Sequence, residues 1–213
     1  MIPCRRLLLW GLVIWYVVLS GWAAYEPADR QFWLLSSLLP TLFVVLLIGT
    51  CRYLPLSPLS YVFIAAFLTL HTMGVHYTYA EMPMGDWVNR VLHMGRNHYD
   101  RVVHFSFGFL LTYPLEELFR LTGTLRGWLV YYLPVMTILG LSGLWEIIES
   151  WVARIAHPDL GITYLGSQGD IWDAQKDMTA ALYGSLLCMT ILLLWRLRGS
   201  RSSEAEPLAD VLN

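Results

Sequence analysis

The sequence predicts an all-α fold, a polytopic membrane helix bundle of about six transmembrane helices. Two properties indicate this class. Hydrophobic residues make up 56% of the 213 residues and charged residues only 14%, whereas a soluble globular protein carries about 25% charged residues. The apolar residues also gather into six runs, each close to the roughly 20 residues that an α-helix needs to cross the hydrocarbon core of a bilayer.

The predicted spans form one transmembrane domain over residues 1–198, and residues 199–213 are predicted to be a disordered cytoplasmic tail. The spans lie at residues 7–24, 32–50, 58–75, 101–119, 128–148 and 178–195. The first span follows Arg5 and Arg6, as the apolar segment of a secretory signal peptide does. Its apolar run is long and contains Trp10, Trp15 and Tyr16, so a retained helix is the better interpretation.

Basic residues indicate that both termini lie in the cytoplasm. With that orientation, the cytoplasmic flanks hold eight basic residues: Arg5, Arg6, Arg52, Arg120, Arg126, Arg196, Arg198 and Arg201. The outer flanks hold six: Arg30, Arg90, Arg96, Arg101, Arg154 and Lys176. The inner loops are short and basic whereas two outer loops are long, and the positive-inside rule then favours this orientation. The net charge of −2 gives no indication of a nucleic-acid partner.

Polar residues are concentrated at the outer ends of the later spans. All six histidines and most acidic residues fall on that side. The third span ends in HTMGVHYTY, where His71 lies about one turn inside the outer end. His71 is a candidate substrate-binding residue, and a histidine satisfied within the core is the alternative.

The fourth span begins in RNHYDRVVHFSFGFLL, which places Asp100 and His104 one turn apart on one helix face. A carboxylate hydrogen-bonded to a histidine fixes its tautomer and raises its basicity, as general acid–base chemistry requires. A structural Asp–His pair has the same pattern, and Asn97 could simply cap this helix. Both interpretations stay open.

The fifth span ends in GLSGLWEIIESW, where Glu146 and Glu149 share a helix face between two tryptophans. Tryptophan is enriched at the membrane interface, so Glu146 is predicted at or just inside that boundary. Snorkelling towards the surface is the alternative for Glu149.

The stretch before the sixth span, LGSQGDIWDAQKDM, places Asp170, Asp173 and Asp177 at i, i+3 and i+7. On a helix they would lie within about 60° of one another. Lys176 would point elsewhere, so it would not neutralise the acidic stripe within its own helix. A capping box between Ser167 and Asp170 would explain Asp170. It does not explain Asp177, which is level with the apolar run, where a carboxylate normally faces a polar cavity.

These motifs resemble a known family. The strings HYTYAEMP, GDW, RNHYDRVVHFSFGFL, WEIIE and LGSQGDIWDAQKDM are similar to those of the YjdF-like inner-membrane proteins, over roughly residues 60–195. The resemblance implies a multi-pass protein of the bacterial inner membrane, and it implies no particular reaction.

A more distant resemblance is to the VanZ-like membrane proteins. Their D-[KR]-x-x-H motif matches Asp100, Arg101 and His104, and their E-x-x-Q motif falls where this chain has Glu146 and Glu149. Their D-x-x-x-N-x-x-G-x-x-x-G motif aligns with Asp173, Asp177, Ala180 and Gly184, so Asp and Ala replace its Asn and first Gly. By analogy this resemblance implies chemistry on lipid head groups.

The leading hypothesis is an intramembrane enzyme that acts on a lipid or lipid-linked head group at the periplasmic face. The candidate catalytic residues are His104, Asp100, Asp173, Asp177 and Glu146. The candidate substrate-binding residues are Arg101, Lys176, Gln168, His71 and Glu149, with Arg96 as a further cation for a phosphate.

Two other functions stay open. Histidine with aspartate or glutamate suits a divalent metal cofactor, although the sequence has no H-x-x-E-H spacing. Intramembrane ionisable groups also mark small transporters and proton relays, although the cytoplasmic halves of the spans are largely apolar. Membrane lipids are the only partners predicted. The sequence leaves open the substrate, the reaction type, metal dependence and the oligomeric state.

Overall fold

The computed structural model describes residues 3–123, 127–155, 161 and 165–209, with side chains described only between residues 6 and 198. Within those residues it contains seven α-helices and no strand, which confirms the predicted all-α membrane bundle. The helices are α1 (Pro3–Ala24), α2 (Arg30–Thr50), α3 (Pro58–Tyr77), α4 (Pro83–Leu92), α5 (Tyr99–Leu121), α6 (Leu129–Ile155) and α7 (Asp173–Ala209). A single 3₁₀ turn, Tyr79–Glu81, joins α3 to α4.

Five of the described helices are long and apolar enough to cross a membrane: α1, α2, α3, α6 and α7. The remaining long helix, α5, has 23 residues and is about 34 Å long at 1.5 Å per residue. Charged residues near both of its ends make it less apolar than the other long helices. Its crossing of the membrane therefore stays a prediction.

Several helix boundaries differ from those predicted. α6 continues seven residues beyond position 148, because the WEIIESWVARI segment keeps the helical conformation. α7 begins at Asp173, five residues before its apolar run, and a carboxylate in the first turn is favourable because it faces the positive end of the helix dipole. The backbone of α7 also stays helical to Ala209, whereas the sequence predicts disorder from position 199.

α5 lies at the centre of the bundle and packs on α3, α6 and most extensively on α7. Two glycines bring the backbones of α5 and α7 together. A Cβ added at Gly108 would lie 1.9 Å from the carbonyl oxygen of Ala181, and one at Gly184 would lie 2.1 Å from that of Phe105. The Thr112 hydroxyl donates a hydrogen bond of 2.6 Å to the Ser185 hydroxyl in the same interface.

α1 and α2 are peripheral, and each packs chiefly on α3. The N-terminus of α2 is capped by Asp29, whose carboxylate accepts hydrogen bonds from the amides of Gln31 and Phe32 at 2.8 and 2.9 Å. An apolar core lies where α2, α3 and α5 meet near one end of the bundle and includes Phe32, Val75, Tyr79, Met82, Tyr99 and Val103.

The two ends of the bundle carry different polar groups. At one end, α3 and α6 finish and α5 and α7 begin, so the predicted site residues of α5, α6 and α7 meet there. At the other end, the buried Glu116 pairs with Arg120 and with Arg196, the latter at 2.9 Å. Glu117 accepts hydrogen bonds from the amide and hydroxyl of Ser57, at the start of α3.

Candidate functional site

Three buried aspartates meet where α5 and α7 begin. Asp100, in the first turn of α5, lies beside Asp173 and Asp177 of α7, and one carboxylate oxygen of each lies within 4.8 Å of the others. The side chains of Asp173 and Asp177 share one face because they are four residues apart. Asp177 is 2% exposed, so the prediction that it faces the bundle interior agrees with the structure. These three residues are called the aspartate cluster below.

Two arginines approach the aspartate cluster, Arg96 from the segment between α4 and α5 and Arg101 from the first turn of α5. Nη1 of Arg96 lies 2.7 Å from Oδ1 of Asp173, and Nη2 of Arg101 lies 3.1 Å from the same oxygen. Nη1 of Arg101 also lies 3.2 Å from Nδ1 of His98. Partial burial, and then the charges of Arg101 and Arg96, lower the pKa of His98. This favours the neutral ring, whose Nδ1 can accept a hydrogen bond from Arg101.

Asp170 does not lie as the helical stripe predicts. Asp170 precedes α7 in a turn, where its carboxylate accepts a hydrogen bond of 3.1 Å from the amide of Trp172. Lys176 reaches back to Oδ2 of Asp170 at 2.6 Å, and Arg101 lies 2.7 Å from the same oxygen. Lys176 therefore neutralises Asp170, which lies outside α7, and among the described residues it forms no ion pair with Asp173 or Asp177 of its own helix, as the sequence predicts.

These contacts change the ionisation of Asp170. The hydrogen bond from Lys176, followed by those from the Trp172 amide and Arg101, holds the pKa of Asp170 well below its usual range. The Ser167 carbonyl accepts from the Asp170 amide at 2.9 Å, which is a turn and not the predicted capping box. Asp170 is therefore a charged bridge between α5 and α7.

His104 lies one turn below Asp100, is 7% exposed and faces the interior, as predicted. Its Nε2 lies 3.7 Å from Oδ1 of Asp100, too far for a hydrogen bond, and 3.4 Å from Oε1 of Glu146. Its Nδ1 lies 3.3 Å from the hydroxyl of Ser142. Both ring nitrogens therefore have polar neighbours, and Glu146 is a closer carboxylate than the predicted Asp100.

Glu149 is 7% exposed, so it does not snorkel to the surface. The indole N–H of Trp145 donates a hydrogen bond of 2.6 Å to its Oε1. Glu146 and Glu149 add two further carboxylates on the α6 side of His104, as the sequence predicts from their shared helix face.

His71 is held by the protein on both ring nitrogens. Nε2 lies 3.2 Å from the carbonyl oxygen of Ser36, and Nδ1 lies 2.7 Å from the Tyr79 hydroxyl. This geometry corresponds to the alternative that the sequence left open, a satisfied core histidine. His71 nevertheless forms part of the wall of the cavity described below.

Gln168 and Asn97 join the segment before α7 to the start of α5. The Gln168 side chain accepts a hydrogen bond of 3.0 Å from the backbone amide of Asn97. It also donates one of 2.9 Å to the backbone carbonyl of Asn97. The side-chain oxygen of Asn97 accepts a hydrogen bond of 3.0 Å from the backbone amide of Tyr99, but the N-cap position of α5 is His98 and not the predicted Asn97. The side-chain NH₂ group of Asn97 also donates a hydrogen bond of 2.9 Å to the carboxylate of Asp86 in α4. Gln168 thus holds the backbone that carries Asp100.

A cavity of about 360 Å³ leads from the outside of the bundle to His104 and Asp100. Its walls are almost entirely apolar and come from α2, α3, α5 and α6. Its α2 wall includes Leu39 and Phe43, which are 43% and 40% exposed. α2 has little contact with α6, so the α2 wall of the cavity is only loosely packed against the rest of the bundle.

Several buried polar atoms of the site have no hydrogen-bond partner among the described residues. The unused donors are Nε and Nη2 of Arg96 and Nε of Arg101. The unused acceptors are Oδ1 of Asp177 and Oε1 of Glu146. Buried polar groups are normally hydrogen-bonded, so both kinds of atom leave capacity for a ligand.

The structure brings nine of the ten predicted site residues to one end of the bundle around two adjoining groups, the ion pairs of the aspartate cluster and the surroundings of His104. His71 stands apart on the cavity wall.

Sequence reasoning missed Ser142, which faces His104. Its position four residues before Glu146 places both on the same face of α6, and this spacing could have identified it.

Comparison with known proteins gives two matches. A family described as a predicted membrane protein (DUF2238) matches residues 8–198. The inner membrane protein YjdF of Escherichia coli (strain K12) is 34% identical over 174 residues, which cover 81% of this chain and 83% of that protein. No solved structure matches the chain.

Proposed function

The chain belongs to the DUF2238 family of predicted membrane proteins, and from that premise we propose that it is an intramembrane enzyme acting on a lipid or lipid-linked head group. The observation that supports this proposal is the apolar cavity that has exposed α2 side chains in its wall and also includes His104 and Asp100 in its lining. A binding pocket for an acyl chain needs apolar walls, and the chemistry needs a few polar groups at one end.

The cavity supports a lipid substrate by its size and position. A volume of about 360 Å³ lies within the range of small-molecule sites. The exposed Leu39 and Phe43 side chains would face acyl chains of the bilayer. A chain entering between α2 and α6 would bring its polar end to the level of His104.

His104 is the proposed general acid–base residue. In this proposal its neutral imidazole accepts the proton of an attacking hydroxyl group, and the resulting imidazolium returns that proton to the leaving group. Asp100 and Glu146, at 3.7 and 3.4 Å from Nε2, would stabilise the imidazolium. Ser142 would orient the ring through Nδ1.

The arginines would hold a phosphate-bearing head group. Arg96 and Arg101 are already positioned by Asp170 and Asp173, yet three of their donor nitrogens are unused among the described residues. An arginine fork binds phosphate oxygens in fixed geometry. The D-[KR]-x-x-H resemblance to VanZ-like proteins favours the same reaction class by analogy. The proposed location of this end of the bundle is the periplasmic face.

A lipid comparison tests the proposal. Membranes of the native bacterium lacking this gene, and of the same strain carrying the wild-type gene or the His104→Ala gene, are compared by lipid mass spectrometry. We expect one lipid class to accumulate without the gene and to return to normal with the wild type. His104→Ala should leave it accumulated, because a general acid–base residue contributes about 10²- to 10⁴-fold in rate.

The matched control is His76→Ala. His76 lies on α3 and contacts the Ala23 carbonyl at 3.1 Å, away from the cavity, so this variant should restore the lipid profile. Membrane abundance of each variant is measured in parallel. The proposal fails if no lipid class depends on the gene, or if His104→Ala restores the profile at normal abundance.

A further inference from the structure

We propose that the aspartate cluster binds a hard divalent cation of the Mg²⁺ or Mn²⁺ class. The cluster offers one carboxylate oxygen from each of Asp100, Asp173 and Asp177, and these three oxygens lie within 4.8 Å of one another. All three residues are buried. The inference concerns binding alone and does not depend on the enzymatic function proposed above.

A second observation points to a ligand at this place. Asp177 is almost completely buried, yet its Oδ1 accepts no hydrogen bond from any residue in the described part of the chain. The closest cationic atom recorded for it is Nε of Arg101 at 3.9 Å, which is too far for a hydrogen bond. A buried acceptor of this kind is costly unless something binds it.

The arginines satisfy only part of the cluster. Arg96 and Arg101 direct their short contacts to Oδ1 of Asp173 and to Asp170. No hydrogen bond to the carboxylate of Asp100 or of Asp177 is formed by the described residues. Both carboxylates are therefore free to coordinate an ion, while the arginines keep Asp173 in position beside them.

The charges of the surroundings favour a cation as the missing partner. Six carboxylates gather at this end of the bundle, namely Asp100, Glu146, Glu149, Asp170, Asp173 and Asp177, against the three permanent cations Arg96, Arg101 and Lys176. Burying unpaired carboxylates is strongly unfavourable. A divalent ion would offset two of the three excess negative charges.

The donor set selects the class of cation. Carboxylate oxygens suit the hard ions Mg²⁺, Ca²⁺ and Mn²⁺, whereas thiolates and several imidazoles are the mark of a zinc site. Both described cysteines, Cys51 and Cys188, lie outside the cluster. With three protein oxygens, such an ion would keep water in its remaining positions, as Mg²⁺ commonly does.

Titration with manganese tests the proposal. The full-length protein is purified in detergent, stripped with a chelator and titrated with MnCl₂ while free Mn²⁺ is followed by electron paramagnetic resonance. We expect one saturable site per chain that half-saturates at or below about 1 mM, the weak end of the range for oxygen-ligand sites. Competition by MgCl₂ should release the bound Mn²⁺.

Two variants locate the site. Asp177→Asn keeps the size of the side chain and should abolish saturable binding. Glu117→Gln alters a carboxylate at the opposite end of the bundle and should bind Mn²⁺ like the wild type. Size-exclusion chromatography checks that each variant is folded. Absence of saturable binding by the wild type, or wild-type affinity in folded Asp177→Asn, overturns the proposal.

Discussion

Asp170 shows how one residue outside a helix can join two helices. Its carboxylate contacts Arg101 of α5 and Lys176 of α7 at 2.7 and 2.6 Å, and its side chain is only 17% exposed. A depressed carboxyl pKa in the folded state means that this stabilisation is fully present above the unfolded pKa of about 3.9 and is lost as the pH falls towards the folded value.

We therefore predict that Asp170→Asn lowers the melting temperature of the detergent-purified protein at pH 7. The difference from the wild type should shrink in high salt, because ion pairs that are partly exposed are screened. It should also shrink below about pH 4, where the Asp170 carboxyl of the unfolded protein begins to take up a proton while that of the folded protein is still ionised. Lys176→Gln serves as the matched variant and should reproduce part of the loss. Equal melting curves for all three proteins at pH 7 would contradict this prediction.

At the scale of the helices, the contact between α5 and α7 depends on glycine. Gly108→Ala would place a methyl group 1.9 Å from the Ala181 carbonyl oxygen, so the helices must separate. Overpacking of this kind costs about 1–3 kcal/mol or more, and we expect a clear loss of thermal stability. The loss should be measurable as a lower melting temperature in detergent.

Gly140→Ala is the control for that experiment. Gly140 also lies inside a helix, but a Cβ added there meets no atom within 4 Å. Alanine has a higher helix propensity than glycine, so this variant should be at least as stable as the wild type. Equal destabilisation by both substitutions would show that crowding between α5 and α7 is not the cause.

The sequence predicted where the apolar helices lie more accurately than it predicted the residues at which they begin and end. Hydropathy locates the apolar centre of α6 and α7, but it does not register polar turns such as those that begin α7 at Asp173. The helical periodicity correctly joined Asp173 to Asp177 and wrongly added Asp170, because periodicity does not reveal where a helix starts. The hydrogen bonds of Arg96 with Ser167 and of Gln168 with Asn97 join residues that are about 70 positions apart in the sequence. No local pattern in one sequence encodes such pairs.

At the scale of the whole molecule, the orientation in the membrane decides which face carries the candidate site. We predict that both termini are cytoplasmic, because the short loops on that side are basic. The native cysteines are replaced, single cysteines are introduced at positions 165 and 201, and intact cells are treated with a membrane-impermeant maleimide. Position 165 should be labelled from outside, and position 201 only after the cells are opened. The reverse pattern would move the candidate site to the cytoplasmic face.

The peripheral position of α2 has a consequence for how the molecule moves. α5 and α7 touch backbone to backbone and are joined by ion pairs, so displacing either helix would break the cluster of charges. α2 packs chiefly on α3 and forms one wall of the cavity. Segments with few packed neighbours open at the lowest free energy. If the proposed function is correct, a lipid could enter or leave through a displacement of α2 while the ion pairs between α5 and α7 stay in place.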